Sequence, residues 1–167
     1  MNIYRLHRYP SKLDHYKDRM QVPEIAWKAS SAPGPNGKMK REALKMSFVK
    51  SPKYATMYAM RHGRFKEAEP VIMKDPYYAT LYVEFILKQR WPEAEKYIMK
   101  NPQQAFDYAR KIIKGRWPEA EQYIMKDSTW ASSYAYSVMK SRWPEAEQYI
   151  KQDKNDWDSY AFDWNIK

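Results

Sequence analysis

The chain of 167 residues contains no cysteine and only four glycines. Without thiols there is no disulfide, no Cys-based zinc site and no thiol nucleophile, which suits a reducing, intracellular compartment. No apolar run approaches the roughly 18 residues that a membrane span needs, and the residues after Met1 lack the basic-then-apolar layout of a secretory signal. Neither membrane insertion nor export is expected. Glycine-rich phosphate loops, His-Glu-x-x-His and Gly-x-Ser-x-Gly are absent as well, so no cofactor, metal or catalytic residue is assigned and a non-enzymatic role is expected.

Acidic residues are scarce at one end only. Residues 1–63 carry 13 Lys/Arg against four Asp/Glu, a net of +9, whereas residues 64–167 carry 17 against 16, so the overall +10 belongs almost entirely to the first third. What the chain has in quantity is ring surface, 15 Tyr and 7 Trp, enough to fill a packed core despite a 30% charged fraction.

Much of that ring surface recurs at a fixed interval. Arg64-Phe-Lys-Glu-Ala-Glu69, Arg90-Trp-Pro-Glu-Ala-Glu95, Arg116-Trp-Pro-Glu-Ala-Glu121 and Arg142-Trp-Pro-Glu-Ala-Glu147 begin 26 residues apart. Asp75, Asn101 and Asp127 follow in register, then Ala79, Ala105 and Ala131, then Tyr82, Tyr108 and Tyr134. A worn earlier copy shows as Glu42-Ala43, Ser51-Pro52, Ala55 and Tyr58.

Each copy reads as two helices of roughly 9 and 13 residues. Pro92 suits the first position of the first helix, where its fixed φ and missing N–H cost nothing, and Glu93 and Glu95 favour the positive dipole end. Trp91, Ala94 and Ile98 form one apolar stripe. Asp75, Asn101 or Asp127 caps the second helix, whose stripe is Ala105, Tyr108, Ala109, Ile112 and Ile113. Lys114 and Gly115 close it, with glycine expected to take the left-handed turn. So small a pair cannot bury its own apolar face, and copies must stack.

The expected fold is therefore all-α: a right-handed or superhelical α-solenoid of stacked 26-residue helix-turn-helix repeats behind a dissimilar basic N-terminal segment. Residues 1–37 form an arm or cap. The array runs over 38–167, with the worn copy at 38–63, copies at 64–89, 90–115 and 116–141, and a capping copy at 142–167. In that last copy Trp157 takes an alanine position, while Tyr160 and Ala161 keep the register.

Arg-Trp-Pro-Glu-Ala-Glu-x-Tyr-Ile-Met-Lys-Asp, continued by Ala-x-x-Tyr-Ala-x-x-Val-Met-Lys, resembles a tandem repeat of uncharacterised proteins of large tailed bacteriophages. The resemblance covers about residues 64–150. It implies a viral origin and a place in the host bacterial cytoplasm, and carries no activity. Phe65-Lys66 in place of Trp-Pro, Pro70 within a first helix, and the altered last helix depart from the pattern.

A catalytic site is needed once, but Arg with Glu-Ala-Glu occurs four times, so these residues are expected to form a ladder of Arg–Glu contacts between stacked copies. The Trp and Tyr columns are expected in the core. Positions that vary along the second helices remain for recognition, and Tyr78, Phe106, Arg110, Trp130 and Tyr136 are the candidate partner-binding residues, the partner being a protein that is a host or viral macromolecule. Binding it would inhibit a host defence or redirect a host factor.

The basic third offers an alternative. Arg5, Arg8, Lys12, Lys17, Arg19, Lys38, Lys40 and Arg41 are interleaved with Tyr4, Tyr9, Tyr16 and Trp27, a mixture that suits RNA or DNA bound through residues 1–63, or an acidic protein surface. A weaker alternative is a small enzyme built from His7, His15 or His62 where arm and array meet. His7 and His15 are eight residues apart, about 12 Å along a helix, too far to share one ion.

Overall fold

The computed structural model of the chain describes residues 45, 46 and 48–166. From Phe48 onward these residues belong to one compact unit, all-helical and without strands among the described residues. No helix among them is long and apolar enough to cross a membrane.

The helix α1 (Pro52–His62) is the second helix of the worn copy. Ser51 caps it, its side chain accepting from the Tyr54 N–H. In the next copy a 3₁₀ turn (Lys66–Ala68) leads into the short α2 (Glu69–Ile72), because Pro70 fits only the first turn of a helix and so delays it. Then follow α3 (Pro76–Tyr82), α4 (Pro92–Ile98), α5 (Pro102–Tyr108), α6 (Pro118–Ile124), α7 (Ser128–Tyr134), α8 (Pro144–Ile150) and α9 (Lys154–Asp163). The N-caps are those the sequence indicates. Asp75, Asn101 and Asp127 each accept a backbone N–H from the first turn they cap, and Asp153 repeats the device in the last copy.

The helices α3, α5 and α7 do not continue as α-helix to their ends. Each widens into a five-residue π-helix, over Val83–Leu87, Ala109–Ile113 and Ala135–Met139. The left-handed residue that closes each of them is the lysine, Lys88 (φ 55°), Lys114 (φ 60°) or Lys140 (φ 56°). This corrects the expectation for Gly115, which is not at positive φ; the same position is Gln89 and Ser141 in neighbouring copies, so glycine is not required there. In the Gly115 and Ser141 copies the next N–H reaches back six residues, from Gly115 to Ala109 O (3.3 Å) and from Ser141 to Ala135 O (3.4 Å), which closes the widened end.

The core is a set of columns. Ala94, Ala120 and Ala146, with Ile72, Ile98, Ile124 and Ile150, are fully buried on the first helices, Ala68 in the 3₁₀ turn before α2, and Ala79, Ala105 and Ala131 on the second helices. Alanine lets the backbones approach while isoleucine fills the space between, each buried isoleucine contributing roughly 1.5–3 kcal/mol. Every second helix touches the second helix before it and the one after, along α1, α3, α5, α7 and α9, and also packs on the first helix of the next copy, as in α3 on α4, α5 on α6 and α7 on α8.

Candidate functional site

The recurring polar residues converge on one arrangement in every copy. Arg90 grips Glu95 with two hydrogen bonds of 2.8 Å each, and Arg64–Glu69, Arg116–Glu121 and Arg142–Glu147 repeat the grip at 2.6–3.1 Å. A tyrosine shares the carboxylate oxygen that the arginine Nε reaches. Tyr108 Oη donates to Glu95 Oε1 at 2.9 Å, and Tyr82, Tyr134 and Tyr160 do the same to Glu69, Glu121 and Glu147 at 3.0, 3.1 and 3.3 Å. The hydroxyl also accepts the backbone N–H of the residue after the arginine: Phe65 (2.8 Å), Trp91 (2.7 Å), Trp117 (2.6 Å) or Trp143 (2.6 Å). This N–H belongs to the first-helix N-cap and would otherwise lack a partner. Since the bond uses the main chain, phenylalanine serves at position 65 as well as tryptophan elsewhere.

The Arg–Glu pairs thus close within a copy, where a ladder between copies was expected. Neighbouring copies add only a weaker electrostatic pull, of Glu119 on Arg90 and of Glu145 on Arg116. Continuity between copies comes from the rings: Tyr82 on Trp91 (5.5 Å between centroids), Tyr108 on Trp117 (5.1 Å) and Tyr134 on Trp143 (5.3 Å). Tyr160 has its ring contacts with Trp157 (5.8 Å) and Trp164 (6.4 Å), from its own helix and the residue after it.

Burial governs the acid–base character of this arrangement. It pushes the Tyr82 hydroxyl up to about 12, and raises Tyr108, Tyr134 and Tyr160 as well. Burial would also raise Glu95, but the hydrogen bonds from Arg90 and Tyr108, with the Arg90 charge, outweigh it and hold that carboxyl below its ordinary value. At Tyr108 and Glu95 the two shifts diverge, a hydroxyl kept protonated beside a carboxylate kept charged, and the hydrogen-bonded pair acts as a clasp.

The variable residues divide. Phe106 was expected on an exposed patch, but it is 5% exposed, and its ring lies against Trp130 of the next copy (5.5 Å) with the Arg110 guanidinium over it (5.2 Å). Its column, which also holds the buried Thr80, and the column of Leu81 and Asp107 face neighbouring helices in these copies. Trp130 is half-buried by the same contact. Tyr78 is half-buried edge-on to Tyr77 (5.1 Å). Arg110 and Tyr136 are exposed.

Several of the varying positions therefore join copies, and each junction uses different chemistry. Glu84 and Lys111 form a 2.8 Å ion pair between the second and third copies, the tilted Phe106 and Trp130 rings meet between the third and fourth, and Ser128 and Thr129 donate to Asp156 (2.7 and 2.8 Å) between the fourth and fifth. Phe162, 76% exposed, was not singled out from the sequence. The period carries the Arg110 and Tyr136 column forward to it, and that was the available signal.

Arg5, Arg8, Lys12, Lys17, Arg19, Lys38, Lys40 and Arg41 lie outside the described residues, as do His7 and His15. His62, on an exposed end of α1, lies against the Tyr58 ring (4.5 Å). No cluster of three or more metal-ligating side chains occurs among the described residues. No family model, curated protein or solved structure matches the chain.

Proposed function

We propose that the chain is a non-enzymatic helical-repeat interaction protein, its helix pairs stacked as an α-solenoid, which holds a protein partner against one column of its second helices. The solenoid reading is supported by the order of contacts, in which each second helix among the described residues packs chiefly on its sequence neighbours of the same kind and on the adjoining first helices. The partner reading rests on one observation. At the same register of three successive copies stand Arg110, exposed, Tyr136, 46% exposed, and Phe162, 76% exposed. Arg110, which also pairs with Asp107 at 3.5 Å, followed in the next two copies by two exposed rings, suits a surface that offers an acidic group next to an apolar one. The resemblance to phage repeat proteins puts that partner among host or viral macromolecules in the bacterial cytoplasm, and blocking a host defence or redirecting a host factor is the role that fits.

Affinity capture from infected cells after nuclease treatment tests this. The intact chain should retain a protein that Arg110→Glu/Tyr136→Ser/Phe162→Ser loses. Retention of the same set by both chains rejects the column as the contact.

A further inference from the structure

The turn between first and second helices is the same in every copy. The N-cap N–H bonds back three residues, from Ser51 to Phe48 O, Asp75 to Ile72 O, Asn101 to Ile98 O and Asp127 to Ile124 O, all at 3.1–3.2 Å. The residue before each of these caps is a lysine: Lys50, Lys74, Lys100 and Lys126. All four are exposed, and none is held by a carboxylate among the described residues. Because α1, α3, α5 and α7 pack in sequence, equal positions on them fall in a row, one lysine about every 9 Å, the spacing of packed helices. Lys53, in the first turn of α1, adds a fifth exposed cation.

Exposed rings stand in the same row. Tyr54 (36% exposed) and Tyr77 (39% exposed) occupy the first turns of α1 and α3, and the Lys53 ammonium lies 5.7 Å from the Tyr54 ring centroid. Tyr78 packs edge-on to Tyr77 beside them. Two of the four caps, Ser51 and Asn101, are uncharged, while the Asp75 and Asp127 carboxylates are turned onto the backbone N–H groups they cap. At the fifth copy the row stops: Gln152 replaces the lysine, and Asp153 and Asp156 follow.

We infer that this edge, from Lys50 to Lys126, is a track for a single-stranded nucleic acid, with the lysines on the phosphates and Tyr54 and Tyr77 as stacking platforms for bases. Regularly spaced, unpaired ammonium groups match a regular polyanion, and flat rings at one end of the row match the bases that a single strand exposes and a duplex hides. The acidic fifth copy sets the limit of the track. The inference stands apart from the Arg110, Tyr136 and Phe162 column, and either can fail alone.

Binding of the full chain to a labelled single-stranded RNA of mixed sequence, about 16 nucleotides long, tests it across a salt series. Lys50→Gln/Lys74→Gln/Lys100→Gln/Lys126→Gln should make the log–log salt slope shallower by about 3, at roughly 0.7 per lost phosphate contact. Lys88→Gln/Lys114→Gln/Lys140→Gln, at the opposite ends of the second helices, should leave the slope within about 0.7 of the parent. Tyr54→Leu/Tyr77→Leu should weaken binding about fivefold or more without altering the slope. The inference is overturned if the parent fails to bind at low salt, or if the four-lysine variant keeps the parental slope. It is equally overturned if poly-glutamate competes as well as RNA and the tyrosine variant is neutral, because the edge then takes an acidic polypeptide.

Discussion

The Tyr108 hydroxyl lies 2.7 Å from the backbone nitrogen of Trp91, 17 residues earlier, and accepts its hydrogen bond. The same ring rests on Trp117 of the following copy. One side chain therefore fixes the geometry within its copy and the spacing to the next. Its polar tip faces the clasp while its apolar body faces the neighbour, a division of labour suited to tyrosine.

Tyr108→Phe keeps the ring contact and removes the hydroxyl, leaving the Trp91 N–H and one Glu95 lone pair unmatched at a buried site. A loss of about 1–3 kcal/mol is expected. Urea denaturation compared with the parent measures it, and a change under about 0.5 kcal/mol, the size of an ordinary surface substitution, rejects the clasp as a stabilising element.

Much of the frame was legible in the sequence, because a repeat states its own register. Pro92 at a helix start, Asp75 and Asp127 as caps, and the buried Trp and Tyr columns follow from residue chemistry applied several times over. The π-helical ends and the left-handed lysines were not legible, since a π turn differs from an α turn by one residue of hydrogen-bond reach and has no distinct composition. The destination of the Arg–Glu pairs is not legible in the sequence for a related reason. Arg90 and Glu95 are five apart and flank the helix start, where the non-helical Trp91 lets the guanidinium fold back, so helical spacing rules do not apply. Phe106 was misplaced because a varying position can vary to match its neighbour, and Trp130 is that neighbour.

Alkaline pH should loosen the array. Folding raises the Tyr82 hydroxyl from its ordinary value near 10 to about 12, and raises Tyr108, Tyr134 and Tyr160 in the same direction. A group whose folded value is raised contributes stability that is complete below its unfolded value and is lost as pH climbs through the window above it. Melting temperature should accordingly hold up to about pH 10 and fall beyond it. Tyrosinate absorbance followed at the same time should rise in two stages, exposed rings first and the clasp tyrosines with unfolding. A single stage near pH 10 contradicts the burial.

The acid limb has the opposite sign. Glu95 is lowered, so its contribution is complete above its ordinary value near 4.5 and disappears as pH falls through the lowered one. Glu95→Gln should destabilise the chain at neutral pH by about 1–3 kcal/mol, since the Arg90 grip weakens and the Tyr108 proton loses a charged acceptor. The difference from the parent should shrink as pH falls through the lowered Glu95 value. Urea midpoints at a series of acidic pH values read this, and a gap independent of pH points to packing in place of charge.

Junction-specific pairs predict coupling between copies. The Phe106 and Trp130 rings meet at 5.5 Å, and a double-mutant cycle with Phe106→Ala and Trp130→Ala should return an interaction energy of about 0.5–1.5 kcal/mol. Phe106 paired with Tyr160, two copies on, should give additive effects within about 0.5 kcal/mol. Equal coupling in both cycles shows that the Phe106–Trp130 contact is not the source of the coupling.

The left-handed lysines offer a test in the stabilising direction. Lys140 is exposed, sits at φ 56°, and its side chain is not held by a carboxylate among the described residues. An L-residue there carries roughly 1–2 kcal/mol of crowding between Cβ and the backbone. Glycine removes the crowding but gives back part of the gain through the wider freedom of the unfolded chain, about 0.4–1 kcal/mol. Lys140→Gly should raise stability by about 0.5–1 kcal/mol, while Lys140→Val, β-branched and poorly suited to positive φ, should lower it by more than that. Chemical denaturation of the two variants decides. If glycine destabilises, the lysine ammonium makes a contribution to the folded chain that outweighs its backbone strain.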